Sequence, residues 1–378
     1  MRVLVVNVGS SSLKLRFLGA HDEILFSHEQ SHRGDIDPDQ MWTAIGGFAD
    51  QIEAVGHRVV HGGRRFMSAV LVDSIVQREL RALTDLAPLH QAACLSGIEA
   101  LRSLLPDIPS VACFDTSFHT TMPAAATTYA VPVEWRERYG VRRYGFHGLS
   151  HAYTSRHAAR LDGRPLSRLR TVTCHLGAGA SLAAVQHGVS VDTTMGFTPL
   201  DGLVMATRSG SIDPGLVAWL VRHTNMTVDD VSKALEHDSG LLALAGSPDM
   251  AVIEAAASKG DGRSLLAIDV FVHRLRAGIA SMASAMSGLD VLAFTGGVGE
   301  NSPTIRSQTV GGLGFLGVEI DEMANTTLEP DADLSAPGSA VRTLVVKARE
   351  DIQIATEVRE VITPSSPKTG SRAYHQGG

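Results

Sequence analysis

The chain has 378 residues, which is long for one domain and sufficient for two that each bury a full core, so we expect two domains with a cleft between them. It carries 40 acidic and 33 basic residues, a net charge of -7, without a long block of like charge, which disfavours nucleic acid as a partner. No apolar run approaches the roughly 18 residues of a membrane span, and the apolar start ends too early for a signal peptide, so we expect a soluble, cytoplasmic protein with no membrane partner.

Short apolar runs alternate with amphipathic stretches, a pattern typical of an α/β fold. Pro106 stops the second predicted helix, and Asp213 before Pro214 predicts an N-cap followed by a proline in the first helical turn. In chain order we predict a strand at Val3–Val8, helices at Ile75–Leu86 and Gln91–Leu105, a strand at Val111–Phe114, helices at Ser150–Arg160, Pro214–His223 and Arg263–Ser287, strands at Val291–Thr295 and Arg342–Val346, and a helix at Asp351–Ile362. The Ser-, Pro- and Gly-rich tail, residues 364–378, is predicted to be disordered.

Two apolar strands run into turns rich in glycine and serine. The first is VLVVNVGSSSLK at residues 3–14, and the second is TVTCHLGAGAS at residues 171–181. Backbone N–H groups and hydroxyls concentrated at such turns can hold a phosphate, and Lys14 adds a positive charge after the first turn. Two such turns in two halves of one chain indicate a duplicated fold with a nucleotide between the halves. A pair of ordinary glycine hairpins is the alternative interpretation.

Two charged residues stand near the ends of apolar strands. Arg58, in GHRVVHGG at residues 56–63, is costly there unless it meets an anion, which indicates a carboxylate or phosphate ligand. Asp115, in CFDTSFH at residues 113–119, follows a predicted strand, a position typical of residues that orient a metal, a water or a reacting group. The alternatives are a surface arginine beside a turn and an aspartate that caps a helix or turn.

Later segments supply further candidate groups. YGFHGLSH at residues 144–151 places His147 and His151 four residues apart, but Gly148 interrupts the segment and no third ligand stands nearby, so we favour a histidine that donates to a phosphoryl oxygen over a zinc site. Arg208 lies among small residues, which would let it swing toward a ligand. FTGGVGEN at residues 294–301 turns a strand into a helix through glycines that can lie against adenine or ribose.

Several common motifs are absent from the sequence. It contains no P-loop, no Rossmann fingerprint and no nucleophile elbow. Its three cysteines are widely spaced and include no C-x-x-C pair, which supports neither a disulfide framework nor a structural zinc site. We expect buried, reduced thiols.

Seven segments resemble, in order, those of the acetate kinase family. They are VLVVNVGSSSLK, VGHRVVHGG, FDTSFH, YGFHG-SH, HLG-GAS, DTTMGFTPLDGLVM-TRSG-IDP and FTGGVGEN, and the resemblance covers residues 1 to about 360. It implies an α/β fold of two duplicated ribonuclease-H-like (actin-like) domains with a nucleotide cleft between them. It also implies domain boundaries: residues 1–120 with a returning helix at 352–363 in one domain, and residues 121–351 in the other.

The same resemblance implies the activity, which is reversible Mg²⁺-dependent in-line transfer of a phosphoryl group from ATP to acetate, giving acetyl phosphate and ADP. Mn²⁺ is the alternative metal, small molecules are the ligands, and a homodimer is the expected assembly. In-line transfer spreads negative charge over the equatorial oxygens, which arginine, histidine and Mg²⁺ can stabilise. Acetate is already ionised at neutral pH, so Asp115 would orient the metal or substrate rather than abstract a proton.

The family's functional residues carry over wherever the motifs match. The resemblance implies three catalytic residues, Asp115, His147 and Arg208. It assigns acetate to Arg58 and to an apolar pocket of Val60, Leu89, Phe146 and Pro199, and the metal to Asn7 and Glu350. It assigns the nucleotide to Ser10, Ser12, Lys14, His175, Leu176, Gly177, Ala178, Gly179, Asp249, Met250, Ala251, Gly297, Val298, Gly299, Glu300 and Asn301.

The sequence departs from the family pattern at a few positions. Ala178 replaces an asparagine in the second turn, Leu149 replaces a threonine, and Ala251 replaces an arginine. Near the C-terminus, Arg349, Glu350 and Asp351 replace Asn-Glu-Glu. Since Ala178 and Ala251 cannot donate side-chain hydrogen bonds, we predict weak nucleotide binding.

Two alternative functions stay open at this point. Propionate kinase is the first, because one extra methylene discriminates by only about 1 to 3 kcal/mol. A non-catalytic nucleotide switch of the actin or chaperone type is the second. Such a switch needs no carboxylate clamp, and Arg58 between His57 and His61, together with Arg208, argues against it.

Overall fold

The computed structural model describes residues 1–9, 12–31, 36–84 and 88–363, without the side chains of residues 88–90. Ser10 and the tail at residues 364–378 therefore lie outside the described residues. The described chain contains two mixed β-sheets with helices around them. Each sheet contains six strands.

The first sheet comprises β1 (Val3–Val8), β2 (Ser12–Leu18), β3 (Ile24–Ser31), β4 (Ala54–Val59), β5 (Val70–Leu71) and β6 (Ser110–Phe114). The strands lie in the order β3-β2-β1-β4-β6-β5. β1, β2 and β3 form an antiparallel meander, β4 and β6 run parallel to β1, and the short edge strand β5 is antiparallel to β6. β1 has the predicted bounds, and its residues are almost all buried, as expected of a central strand covered on both faces.

The helices that precede the second sheet in the chain are α1 (Pro38–Ile45), α2 (Ser74–Ala82), α3 (Pro88–Leu104), α4 (Ala124–Thr127) and α5 (Val133–Arg138). α2 ends before the predicted Leu86 because the chain tightens at Leu83, whose N–H donates to the carbonyl of Leu80. α3 begins before the predicted Gln91 because Pro88 suits the first helical turn. Short 3-10 helices lie at Gly46–Gln51, Ser117–Thr121, Leu166–Arg168 and Gly314–Leu316.

The second sheet repeats the first. It comprises β7 (Arg170–Leu176), β8 (Ala180–Gln186), β9 (Val189–Thr193), β10 (Val291–Thr295), β11 (Ala332–Asp333) and β12 (Arg342–Val345). The order is β11-β12-β10-β7-β8-β9, again a meander, two parallel strands and a short antiparallel edge strand. The two predicted phosphate turns join equivalent strands, β1 to β2 and β7 to β8. This repetition confirms the predicted duplicated fold.

The remaining helices are α6 (Gly148–Asp162), α7 (Pro214–His223), α8 (Val228–His237), α9 (Gly240–Ala245), α10 (Met250–Ala257), α11 (Gly262–Ala285), α12 (Gly296–Asn301), α13 (Pro303–Val310), α14 (Glu322–Thr327) and α15 (Glu350–Ile362). α7 has the predicted bounds, and Asp213 accepts from the backbone N–H of Gly215. α11 ends before the predicted Ser287 because Ser287 and Gly288 both have positive φ, 56° and 141°.

Two features of the structure concern the sequence-based expectations about a membrane span and about the cysteines. Residues 240–257 are apolar enough to span a membrane, but Gly246, at φ 79°, separates α9 from α10, and each helix is much shorter than the about 20 residues that a span needs. Cys94, Cys113 and Cys174 are buried free thiols, as predicted.

Two helices that touch each other join the sheets. α15 packs Ile354 and Val358 on the first sheet, where Gly56 of β4 permits the approach, since a Cβ there would lie 2.5 Å from Ile354. α6 packs Ala158 against Val291 of the second sheet. α6 and α15 contact each other, and their N-terminal ends reach the space between the sheets.

Candidate active site

A cavity of about 360 Å³ lies between the two sheets. It is lined from both halves of the chain, by Asn7, Ser12, Lys14, Arg16, Arg58, His147, His175 and Glu350 among others. Side chains alternate along a strand, so Ser12, Lys14 and Arg16 share one face of β2. The same period could have identified Arg16, which the motif analysis missed. Lys14 also pairs with Glu29 at 3.0 Å.

Arg58 is the centre of a charged cluster in this cavity. Its Nε lies 3.2 and 3.1 Å from Oδ1 and Oδ2 of Asp115, and its Nη2 lies 2.6 Å from Oδ2. Its Nη1 donates to Oδ1 of Asn7 at 3.2 Å, and Oε2 of Glu350 lies 3.8 Å from Nε. β4 and β6 are adjacent parallel strands, so their carboxyl ends bring Arg58 and Asp115 together. Four predicted site residues that are far apart in the sequence thus converge.

Burial and charge act against each other in this cluster. The side chain of Asp115 is only 2% exposed and that of Arg58 19%. Burial lowers the pKa of Arg58, but Asp115 and Glu350 outweigh that effect and raise the pKa, so the guanidinium stays charged. Burial raises the pKa of Asp115 by more than the attraction of Arg58 lowers it, and repulsion from Glu350 adds to the rise. Two carboxylates beside one guanidinium favour a cation at this end of the cavity.

His147 stands immediately before α6 in the left-handed backbone conformation, at φ 54°, which is rare for a residue other than glycine. Gly148 follows it because a Cβ there would lie 2.2 Å from the backbone oxygen of Asp115. That oxygen accepts from the N–H of Gly148 at 2.8 Å. Gly145, at φ 76°, is required as well, since its Cβ would lie 2.6 Å from the ring of His119. The two glycines therefore hold His147 against the end of β6.

His175, Arg208 and the second turn complete this end of the cavity. The rings of His147 and His175 lie 4.4 Å apart. A Cβ at Gly179 would lie 3.3 Å from Nε2 of His147 and 3.4 Å from Nη1 of Arg208, so the turn backbone lies directly against both side chains. Nη1 of Arg208 donates to the carbonyl of Pro199 at 3.1 Å. His147 and Arg208, both predicted to be catalytic, thus meet at the glycine turn.

The histidines at this site are neutral near physiological pH. Burial lowers the pKa of His175 to about 4. Burial also lowers the pKa of His147 well below its usual range, and His175, Arg58, His151 and Arg208 lower it further by repulsion. An anion bound at the turn, such as a phosphoryl group, would relieve this repulsion.

A second cavity, of about 370 Å³, begins at the same turn. Its wall is largely apolar and includes Leu241, Pro248 and Phe271. It also includes eight residues predicted to bind the nucleotide: Gly177, Ala178, Asp249, Met250, Ala251, Gly297, Val298 and Asn301. An apolar pocket beside a phosphate-type turn suits a nucleoside.

Three of the residues that were predicted to bind the nucleotide do not line this cavity. Leu176 is fully buried in the core beneath the turn. Gly299 is buried against Phe294. Glu300 accepts, through Oε1, from the backbone N–H groups of Gly296 and Ala348, each at 3.0 Å. These contacts hold the turn segments in place.

The apolar wall predicted for the substrate is buried. Val60 and Phe146 are 5% and 1% exposed and belong to one apolar cluster. His61 packs edge-on against Phe146, with ring centres 5.4 Å apart. Pro199 adjoins Arg208 through its carbonyl. The side chain of Leu89 lies outside the described ones.

A set of buried polar residues without a predicted role lies behind His147. His151 is fully buried, and its Nδ1 and Nε2 each lie 2.8 Å from a hydroxyl, those of Thr173 and Ser181 respectively. Within the described ranges, no group of three His, Cys, Asp or Glu side chains could hold a metal ion. Thr173 and Ser181 lie in a segment quoted for its glycines, and a lone hydroxyl in a strand carries no functional signal. Leu241 and Phe271 of the second cavity were not predicted as site residues, because apolar side chains in a sequence are normally interpreted as part of the core.

Comparisons with known proteins agree with one another. A model of the acetokinase family matches residues 39–356. Acetate kinase from Deinococcus deserti is 43% identical over 403 residues, which cover 99% of this chain and 100% of that relative. The crystal structure of Porphyromonas gingivalis acetate kinase superposes with a TM-score of 0.89 at 34% identity, covering 96% of this chain and 100% of that one. A propionate kinase from Francisella tularensis gives a TM-score of 0.89 at 34% identity, covering 95% and 99%.

Proposed function

The chain belongs to the acetokinase family, and from this premise we propose that it transfers the γ-phosphoryl group of ATP reversibly to acetate, giving acetyl phosphate and ADP. An oxygen of the acetate carboxylate attacks phosphorus in line with the bond to ADP, which breaks. One observation carries the proposal: His147 and Arg208 lie against a glycine turn that lines an apolar, nucleoside-sized cavity, and His147 also lines the cavity between the sheets together with Arg58.

The roles of the charged residues follow from their contacts. Arg208 and His147 stabilise charge on the transferring phosphoryl group, because both adjoin the turn at Gly179. Arg58 binds the acetate carboxylate. Of its five N–H donors, the contacts to Asp115 and Asn7 leave one on each Nη for that carboxylate. Asp115 acts through Arg58 by fixing the guanidinium plane, and no general base is needed because acetate is already ionised.

Mg²⁺ would be held by Asn7 and Glu350. The test of fit is the donor set: an amide oxygen and a carboxylate lie around Arg58 at the negatively charged end of the cavity. Magnesium sites commonly use one or two carboxylates and fill the remaining positions with substrate phosphates and water, so two protein ligands suffice. When bound, the ion neutralises charge on the phosphates of ATP. Mn²⁺ accepts the same oxygen ligands.

Propionate is the second candidate substrate, favoured by the equally good superposition on the propionate kinase. A hydroxamate assay with ATP and Mg²⁺ compares acetate, propionate and butyrate directly. A preference for acetate of about 10-fold in kcat/KM supports the proposal, since one methylene is worth about that much. A preference for propionate would identify propionate instead of acetate as the substrate. No hydroxamate from any of the three acids, despite nucleotide binding, favours the non-catalytic switch.

A homodimer is part of the proposal, and the surface around α7 supports it. α7 buries none of its residues, although its sequence is largely apolar. Leu216 and Trp219 on this helix are 42% and 54% exposed, and the neighbouring Val228 is 63% exposed. Contiguous exposed apolar surface commonly marks an interface. Light scattering should find a dimer that Trp219→Glu converts to a folded monomer, and a monomeric native chain would contradict this part.

The division into domains also remains a proposal. Residues 1–120 with 352–363 would form one domain and residues 121–351 the other, supported by the packing of α15 on the first sheet. The enzyme would work in the cytoplasm, where ATP is available.

A further inference from the structure

Behind His147, a line of polar groups runs into the core of the second sheet. Nδ1 of His147 lies 2.9 Å from Oγ of Ser181, which lies 2.8 Å from Nε2 of His151. Nδ1 of His151 lies 2.8 Å from Oγ1 of Thr173, which donates to the carbonyl of Ala183 at 3.4 Å. His151, Ser181 and Thr173 are fully buried, so these contacts have to satisfy them.

The protonation of His151 limits what this line can do. Burial lowers the pKa of His151 well below its usual range, and His119 and His175 add repulsion, so the ring is neutral. A neutral imidazole has one N–H donor and one acceptor nitrogen, and a hydroxyl has a single hydrogen to donate. The two ring nitrogens of His151 therefore have opposite roles, and Thr173 and Ser181 can each donate only one of their hydrogen bonds.

The carbonyl at the end of the line fixes the direction of these hydrogen bonds. The Ala183 oxygen can only accept, so the Thr173 hydroxyl donates to it and accepts from Nδ1–H of His151. Nε2 of His151 then accepts from the Ser181 hydroxyl, whose oxygen accepts from Nδ1–H of His147. The opposite direction would leave the Ala183 contact unmade.

We propose that Thr173, His151 and Ser181 are positioning residues that fix the proton of the resting His147 on Nδ1, which leaves Nε2 as a hydrogen-bond acceptor at the glycine turn. Nε2 is the nitrogen on the cavity side, since a Cβ at Gly179 would lie 3.3 Å from it. The donor chain, defined as His147, Ser181, His151, Thr173 and the Ala183 carbonyl, thus sets the tautomer of a residue at the reaction centre.

One consequence rests on the proposed function. A phosphoryl oxygen at the turn needs a donor, so His147 must take up a proton from solvent on Nε2 as the phosphoryl group binds, while Ser181 still accepts from Nδ1–H. The charged ring then donates a stronger hydrogen bond than a neutral one could. His175, His151, Arg58 and Arg208 face His147 and oppose this charge, and the phosphoryl group offsets them.

The tautomer can be measured on the whole ligand-free chain. Histidine-selective ¹⁵N labelling distinguishes protonated from unprotonated ring nitrogens by their well-separated chemical shifts. We expect His147 and His151 to be protonated at Nδ1, and His147→Gln and His151→Gln assign the two signals. His119 is an internal reference, because its Nε2 lies 3.0 Å from the Phe146 carbonyl and must carry the proton there.

Thr173→Val tests the direction without changing the size of the side chain. A buried N–H without a partner is less tolerable than a buried acceptor without one, so His151 should move its proton to Nε2. Ser181 then donates to His147, and the unprotonated signal of His147 shifts from Nε2 to Nδ1. Thr173→Ser should keep the native tautomers. Thr171→Val is the matched control: Thr171 is buried on the same face of β7, and its hydroxyl has no hydrogen-bond partner among the described residues.

A native His147 protonated at Nε2 would overturn the proposal, and so would unchanged tautomers in Thr173→Val or an equal change in Thr171→Val. If Thr173→Val does not fold, the native spectrum decides alone. If His147 carries its proton on Nδ1 but no carboxylate yields a hydroxamate, the proposed function fails and the donor chain stands.

Discussion

Acidification should destabilise this protein through its buried histidines. His57, His61 and His119 are at most 2% exposed, and burial is the largest cause that lowers their pKa values, to about 3, 4 and 4. Below their ordinary pKa of 6.5 the unfolded chain binds protons that the folded chain cannot, so stability falls as the pH drops through that value. From about pH 7.5 to about pH 5.5, each histidine costs slightly more than 1 kcal/mol. Burial lowers the pKa values of His147, His151 and His175 in the same way, so the six histidines together cost about 8 kcal/mol.

Glu357 acts in the opposite direction. Burial raises its pKa from 4.5 to about 7, so the folded chain holds a proton that the unfolded chain has already released. The same drop in pH therefore favours the folded state by about 2 kcal/mol. The native protein should lose about 6 kcal/mol in total, whereas Glu357→Gln, which lacks the opposing group, should lose about 8 kcal/mol.

Urea denaturation at the two pH values measures both losses. His61→Asn should lose about 1 kcal/mol less than the native chain, and the substitution of an exposed histidine, His273→Asn, should change nothing. Equal unfolding free energies at the two pH values in Glu357→Gln would refute the reasoning, since no opposing group would then hide the histidine contribution.

Three kinetic and binding predictions follow from the site. Arg208→Ala should lower kcat by roughly 10² or more, the usual cost of removing one transition-state donor. Arg58→Ala should mainly raise the KM for acetate. Near-native kinetics in both variants would show that these arginines do not hold the phosphoryl group and the acetate. Val60→Ala should raise the propionate-to-acetate ratio of kcat/KM by up to about 10-fold in the hydroxamate assay, and an unchanged ratio would mean that the acyl chain points elsewhere. Ala178→Asn should tighten binding of a non-hydrolysable ATP analogue by about 10-fold or more in titration calorimetry, with the KM for acetate almost unchanged; equal dissociation constants would show that the missing amide is neutral.

The predictability of each element depended on how its ends are marked. α7 has the predicted bounds because Asp213 and Pro214 give a cap and a fixed first turn. β10 has the predicted bounds because its apolar run stops at a glycine pair. α6 extends two residues beyond the prediction at each end, since its start depends on the left-handed His147 and its end on Gly163 at φ 80°. Neither conformation is visible in an amphipathic pattern.

The same distinction applies within the site. Arg58, Asp115 and His147 could be found because a charged or polar group beside glycine, at the end of an apolar run, is unusual. Thr173 and Ser181 could not be identified from the sequence, because their roles depend on the packing of α6 over β7 and β8. This packing places His151 between the two hydroxyls. Sequence patterns record neighbours along one element and not contacts across three.

The repeated topology explains why the chemistry divides between the two sheets. Equivalent strands end in different residues: β4 ends with Arg58 and Val59, whereas its counterpart β10 leads to Gly297, which lines the nucleoside-sized cavity. β6 leads to Asp115, whereas its counterpart β12 leads toward Glu350 at the start of α15. In the proposed function, Arg58 and Asp115 at the ends of β4 and β6 would serve the carboxylate, and the backbone after β7 and β10 would serve the nucleotide. Substitutions at the ends of β4 and β6 should therefore act on the carboxylate, and those at the ends of β7 and β10 on the nucleotide. Substitutions of His147, immediately before α6, and of Glu350, the first residue of α15, should affect both.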